Sequence, residues 1–381
     1  KGYDWLVSRP KVLRFIEIRL ISVSLPTFIE ERRMKFVVAV FALLASKPVA
    51  HSIDKALFEQ ELLGLEFDSW AEEHGKEYEH TKEKALRFEI WRDNHVKIEK
   101  HNNQKPSPSY ILGHNEYSDM THDEFVDYFN LNQAENYLPQ NSNTGASAEV
   151  DRALRGMSLP DYVNWVSAGA VTPVKNQGQC GSCWAFATTG ALEGAMAVKT
   201  GNLVPLSEQN LLDCDHTDMG CNGGLMDNAF KFDEKNGGLC SEEDYPYQAK
   251  QGKTCNTTCA DVPGSIVKSF VDVPAGDERA LLSAIAMQPI SVAIQADQHP
   301  FQFYKSGVLD DDECGEHARV DHGVLAVGYG TDLETQTPYW LVKNSWGDSW
   351  GDNGYVKIAR NSTNEFGMCA ILKMSSFPIV E

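Results

Sequence analysis

The run Gln177-Gly178-Gln179-Cys180-Gly181-Ser182-Cys183-Trp184-Ala185-Phe186 sets two cysteines three residues apart among small residues. The apolar stretch that follows, through Gly190-Ala191-Leu192-Glu193, predicts a buried helix with Ser182 as N-cap and Gly201 as its stop. Cys183 then lies in the first turn, where the partial positive charge of a helix end favours thiolate over thiol. A thiolate can begin covalent catalysis. Cys-x-x-Cys can equally be a zinc half-site or a redox pair. Against these, no second Cys-x-x-Cys and no His-x-x-x-His follows at zinc-finger spacing, and no βαβ pattern surrounds the pair.

A thiol nucleophile needs a base, and the base needs an orienting partner. Four histidines lie beyond residue 157. His317 sits in the acidic stretch Asp310-Asp311-Asp312-Glu313-Cys314-Gly315-Glu316 and His216 beside Asp215 and Asp218, all read as solvated; His299 precedes Pro300 and reads as loop. His322 instead heads the apolar strand Gly323-Val324-Leu325-Ala326-Val327-Gly328-Tyr329-Gly330. A polar residue there is either a satisfied core histidine or the base. Asn344 ends a second strand and precedes Ser345-Trp346-Gly347.

The segments Pro173 to Phe186, Val320 to Gly330 and Asn344 to Gly351 together strongly resemble the papain-like cysteine proteases of cathepsin L type. The resemblance implies Cys183 as nucleophile, His322 as base, Asn344 as its orienter, and Trp346 shielding their hydrogen bond. It implies that Gln177 joins the Cys183 N–H in holding the oxyanion. Gly223 and Gly224 would bind extended substrate, with Gly181, Asp321 and Trp346 also in the cleft. Leu225, Met226, Ala293, Val320, Gly323 and Met374 would border the pocket for the second residue before the cut. All six are apolar or small, so Leu, Phe or Val is expected there over Arg. Family spacing implies disulfides Cys180–Cys221, Cys214–Cys255 and Cys314–Cys369, and parity adds Cys240–Cys259. The family needs no metal or other cofactor. Its partners would be protein and peptide substrates, its own prodomain, and cystatin-like inhibitors, and the enzyme a monomer. No two-histidine insertion of the carboxydipeptidase kind is seen, so an endopeptidase is favoured. A non-catalytic papain-fold binding protein is the alternative, but such relatives usually lose the nucleophile.

The elements that must position these residues divide the chain. Residues 1–33 precede Met34 and read as extra upstream sequence. A basic, short apolar run over 34–50 reads as a secretory signal. Residues 51–157 resemble the inhibitory prodomain of the same family, capping the enzyme and threading the cleft backwards. Leu57, Phe58, Leu62, Leu65 and Trp70 predict one amphipathic helix. In a second, Glu83, Arg87, Trp91, Asn94, Ile98 and Asn102 fall within about 100° of one face, with Glu83–Arg87 an i,i+4 ion pair. These six resemble the interspersed Glu-Arg-Phe-Asn-Ile-Asn motif. Gly113, Asn115, Tyr117 and Asp119 resemble its companion, with Asp119 the expected acid sensor. Asn130 to Arg155 reads as an exposed linker open to cleavage.

Residues 158–381 form the protease part, helical to about 265 and strand-rich after it, with one helix over 277–288. The fold class is α+β, a helical lobe against a β-barrel-like lobe with the site between them. Nine cysteines fit four disulfides and one free thiol in an oxidising compartment, lysosome, vacuole or extracellular. A net charge of −20 argues against nucleic acid and anionic membrane surfaces. Asn256 and Asn361 carry glycosylation sequons.

Overall fold

The computed structural model describes residues 53–131, 158–311, 314–315 and 319–381. The upstream sequence, the signal-like run, the linker beyond Leu131, the cleavage region and His317 lie outside the described residues. The chain divides into two compact units, 1–65 and 66–381. Of the first, residues 53–65 are described, as the leading part of helix α1 (Ile53–Glu73). Leu57, Leu62 and Leu65 are exposed, so the expected apolar stripe does not form there; burial begins at Phe67 and Trp70.

The second unit opens with an aromatic hub. Helix α2 (Thr81–Asn102) buries Trp91, Asn94 and Ile98. Trp91 meets Phe67 edge-on at 5.8 Å and stacks on His114 at 4.4 Å. Burying one such ring contributes roughly 2–3 kcal/mol. The asparagines face the same way for a different reason, because they satisfy the backbone of the segment laid across them. Asn94 Nδ2 donates to the Ser118 and Met120 carbonyls, and Asn102 exchanges two bonds with Leu112. Arg87 departs from the expected pairing. Its guanidinium goes to Glu124 at 2.8 Å and to the Asp119 carbonyl, because helix α3 (His122–Tyr128) presents a better-placed carboxylate than Glu83 does. Glu83 accepts from the Glu79 N–H instead.

Strand β1 (Tyr110–Leu112) adds antiparallel to β5 (Tyr304–Leu309). Gly307 makes this possible, since a Cβ there would lie 2.5 Å from the Ser109 carbonyl. The sheet runs β1-β5-β8-β7-β6-β4-β9-β3, with β2 (Val163–Asn164) on β6. Its further members are β3 (Val267–Asp272), β4 (Ile290–Ile294), β6 (His322–Thr331), β7 (Pro338–Lys343), β8 (Tyr355–Ala359) and β9 (Met374–Val380).

Helix α4 (Cys183–Thr200) is buried along most of its length. Gly190 and Gly194 let it approach the other lobe, since a Cβ would fall 2.8 Å from Leu325 and 2.5 Å from Pro289. Helices α5 (Glu208–Cys214) and α6 (Met226–Asn236) complete the helical lobe. Helix α7 (Glu278–Met287), capped by Asp277, and the short α8 (His299–Gln302) lie in the β lobe. One core cluster joins Leu192, Leu211 and Phe230 to Leu325 and Val327, so the lobes share apolar packing.

Candidate active site

Cys183 is the first residue of α4 and the free cysteine among the described residues. Ser182 occupies the N-cap but its side chain does not cap; the hydroxyl lies 2.6 Å from Tyr247 Oη. His322 begins β6, in register with Ile294, and a Cβ on Gly323 would lie 3.3 Å from the Cys183 carbonyl oxygen and from the Trp184 nitrogen. The segment that starts at His322 thus lies directly on the helix that starts at Cys183.

His322 Nε2 lies 2.7 Å from Asn344 Oδ1, which also accepts from the Ser345 N–H. An amide oxygen only accepts, so Nε2 carries the proton and Nδ1 is left as the basic nitrogen. Nδ1 is buried without a hydrogen-bond partner. Trp346, fully buried, stacks on the imidazole at 4.6 Å and closes it from water.

Burial dominates both ionisations. It pushes the Cys183 thiol up to about 11, overcoming the Gly323 and Trp184 N–H groups that pull it down. It pushes His322 down to about 4, against the Asn344 bond. Both shifts favour the neutral thiol and the neutral imidazole, against the thiolate expected from the helix end alone. Desolvation outweighs the helix dipole here.

A cavity is lined by Gly181, Cys183, Trp184, Gly223, Gly224, Leu225, Met226, Ala293, Val320, Asp321, His322, Gly323 and Met374, together with Phe129 and Asn130. The structure therefore brings the pocket residues and the dyad into one cleft. Gln177 is fully buried. Its Nε2 donates to the Cys180 carbonyl at 2.9 Å and its Oε1 accepts from Ser345 Oγ at 2.7 Å. Tyr247 carried no sequence signal of its own, and Ser345 was read only as part of the Asn344 run, because each reaches Gln177 through a contact many residues away. The disulfides are Cys180–Cys221, Cys214–Cys255, Cys240–Cys259 and Cys314–Cys369. The first ties the residue beside the dyad to the Asn222-Gly223-Gly224 turn.

The N-terminal segment borders this cleft. Phe129 stacks on Trp346 at 4.3 Å, Phe125 meets it edge-on, and Tyr117 donates to its carbonyl. Asn130 then reaches the Cys221 carbonyl at 3.4 Å, over Gly181. Leu131 is buried, so the expected linker does not begin at Asn130 as an exposed strand of chain.

Away from the cleft, His216 is exposed, while its neighbours Asp215 and Asp218 are buried rather than solvated. Asp218 accepts from the Leu225 N–H and Asn228, which fixes the turn before α6. His299 is not loop but the start of α8, against Lys97 and His122. Asn361 is exposed; Asn256 is half-buried, its side-chain oxygen bonded to Thr258.

Residues 159–379 match the family model described as papain family cysteine protease, and residues 67–125 match the cathepsin propeptide inhibitor domain (I29). Cathepsin L of Sarcophaga peregrina is 44% identical over 350 residues, covering 90% of this chain and 98% of that one. Cysteine protease XCP2 of Arabidopsis thaliana is 44% identical over 313 residues, covering 82% and 85%. Among solved structures, the proform of the ragweed pollen cysteine protease Amb a 11 superposes with a TM-score of 0.74 at 37% identity, covering 88% of this chain and 99% of that one. Digestive procathepsin L 3 of Tenebrio molitor does so with 0.71 at 36%, covering 83% and 99%. The chain belongs to the papain family of cysteine proteases, with a cathepsin-type propeptide inhibitor domain ahead of the protease domain.

Proposed function

We propose that this zymogen becomes a secreted or lysosome-like cysteine endopeptidase in which Cys183 and His322 carry the chemistry. The single observation that carries the reading is the cleft itself. In it a free cysteine at a helix start and a histidine whose tautomer Asn344 fixes line the same cavity. His322 Nδ1 takes the Cys183 proton, and the sulfur attacks the peptide carbonyl carbon. The developing oxyanion lies against the Cys183 N–H and the Gln177 amide. Collapse breaks the C–N bond, and His322 protonates the leaving amine. Water then hydrolyses the thioester, its proton going to His322 and the thiolate leaving.

Extended substrate pairs with Gly223 and Gly224, and its second residue before the cut enters the pocket closed by Met226, Ala293 and Met374. That pocket favours Leu, Phe or Val, and a positional-scanning library dominated by Arg would refute it. Phe129 and Asn130 border the same cleft, Phe129 against Trp346 and Asn130 beside Gly181 and the Cys221 carbonyl. This blocks access. Protein and peptide substrates and the chain's own prodomain are the partners proposed, with cystatin-like inhibitors binding the same cleft of a monomeric enzyme.

The test is to express the full chain, acidify it, and assay a peptide–coumarin substrate with and without a thiol-directed epoxide. Activity should appear on acidification and be blocked. Cys183→Ala should fold and show no turnover, and retained activity would sink the assignment.

A further inference from the structure

The loop over residues 177–182 carries the proposed oxyanion donor at one end and the helix-entry serine at the other, and one side chain reaches both. Tyr247 Oη lies 2.6 Å from Ser182 Oγ and donates to the Gln177 carbonyl at 2.8 Å. A carbonyl only accepts, so the phenol proton is committed to Gln177, and the Ser182 hydroxyl donates to the phenol oxygen. Burial above all holds Tyr247 far above the ordinary range for a phenol, which keeps that donor protonated wherever the enzyme works.

Tyr247 is itself held on a rigid base. Its N–H donates to Glu242 Oε1 at 2.9 Å, and the Gln248 N–H donates to Gln209 Oε1 at 2.9 Å. Gln209, buried on α5, returns a bond to the Lys250 carbonyl, and Ser207 Oγ donates to the Tyr245 carbonyl. The ring stands edge-on to Phe186 at 4.9 Å. Gln177 is thus gripped from opposite sides. From the β lobe, Ser345 accepts its N–H at 2.8 Å and donates to its Oε1. From the helical lobe, Tyr247 holds its carbonyl.

We propose that Tyr247 is a positioning residue for the oxyanion donor: its hydroxyl fixes the Gln177 peptide, and through it the direction in which the side-chain amide meets the reacting carbonyl oxygen. Tyr247 touches neither substrate nor sulfur. The proposal rests on the assignment of Gln177 as oxyanion donor and goes beyond it by naming what aims that donor.

The test uses enzyme matured from the full chain. Tyr247→Phe keeps the ring and its contact with Phe186, and should mature. It should lower kcat about tenfold with KM within about twofold, the signature of an interaction made in the transition state. Affinity for a peptide aldehyde, whose adduct places an oxygen in the oxyanion position, should fall by a similar factor. Alkylation of Cys183 by iodoacetamide forms a C–S bond as iodide leaves and develops no oxyanion, so its rate and pH profile should not move. Added to Gln177→Ala, Tyr247→Phe should cost aldehyde binding nothing further, because the two act as one unit.

Any of three results would overturn the proposal: kcat and aldehyde affinity within twofold of wild type, a parallel loss of alkylation, or full additivity with Gln177→Ala. If Gln177→Ala alone leaves aldehyde binding intact, the oxyanion assignment fails, and the role of Tyr247 fails with it. Should Tyr247→Phe not mature, Ser182→Ala removes the hydroxyl that donates to the phenol and carries the same test at smaller amplitude.

Discussion

The regions around His322 and His299 each set an imidazole, the first fully buried and the second half-buried, where the N-terminal segment meets the protease. Burial is the first cause in each, and each is pushed down to about 4. Their surroundings differ. His322 faces the cleft shared with Cys183, and Asn344 favours its charged form. Opening the cleft to water lets it take a proton from the thiol, so the dyad ionises without net uptake from solvent. His299 has no such donor. The charged groups acting on it are Lys97, whose Nζ lies 2.8 Å from its Nε2, and His122 on the next helix of the segment, its ring tilted against His299 at 4.7 Å. Both oppose its protonation, so its proton must come from solvent. The comparison predicts that His322 serves turnover and that His299 makes closure of the segment over the protease sensitive to acid.

The largest effect expected is at His322. His322→Ala should cut kcat/KM about a thousandfold or more, the scale of losing a general base and its activated nucleophile. It should leave the pH dependence of segment release nearly unchanged, because the dyad exchanges its proton internally. A strongly flattened release profile in this variant would break the distinction. Next is Phe129→Ala, which removes the ring stacked on Trp346. Loss of a buried phenylalanine costs about 3 kcal/mol or more. Leak hydrolysis by the uncleaved chain at neutral pH should therefore rise on the order of a hundredfold.

The chemistry was more legible in the chain than the cover over it. Cys183, His322 and Asn344 each sit in a short, low-degeneracy run whose local form, a helix start, a strand head and a strand end, can be read without neighbours. Phe129, Asn130 and Tyr247 act through contacts made far along the chain, and nothing adjacent marks them; Ser345 lies in the Asn344 run, but its bond to Gln177 is visible only in the fold. The strands divide in the same way. β6 and β7 are apolar runs and read directly. β5 carries Gly307, and β9 carries two serines and Pro378; both are strands because long-range partners, β8 and β3, complete their pairing. The expected Glu83–Arg87 pair failed for a like reason, since Glu124 reaches Arg87 only once α3 folds onto α2.

His299→Gln tests the second half of the comparison. Glutamine keeps an acceptor for Lys97 and cannot titrate. In the wild type, His299 contributes fully to the closed form above its ordinary pKa of about 6.5, and that contribution is lost as pH falls toward about 4. Closure thus weakens with acid because the open form binds the extra proton. Over that window the opening equilibrium of a Cys183→Ala chain, read by susceptibility to an added protease, should rise by about tenfold from this group, less than the full shift allows because His299 is only half-buried and Phe303 of the protease still covers one face of its ring. In His299→Gln that rise should largely disappear. An unchanged slope would remove His299 from acid release.

The smallest effect should come from Asp119, the acid sensor suggested by sequence. Its carboxylate pairs with Lys76 at 3.2 Å and accepts from Tyr78 at 2.9 Å, and its carbonyl accepts from Arg87. All three partners belong to the segment itself, and none lies on the protease. Asp119 therefore braces the cover rather than the joint between cover and enzyme. Asp119→Asn retains an acceptor for Tyr78 and loses only the charge opposite Lys76. It should weaken the segment by about 1 kcal/mol, raising the opening equilibrium by a similar factor at every pH. The slope between pH 4 and 6.5 should stay that of the wild type. Should Asp119→Asn flatten that slope as far as His299→Gln does, the trigger would lie inside the segment, and the division between a bracing carboxylate and a releasing histidine would be wrong.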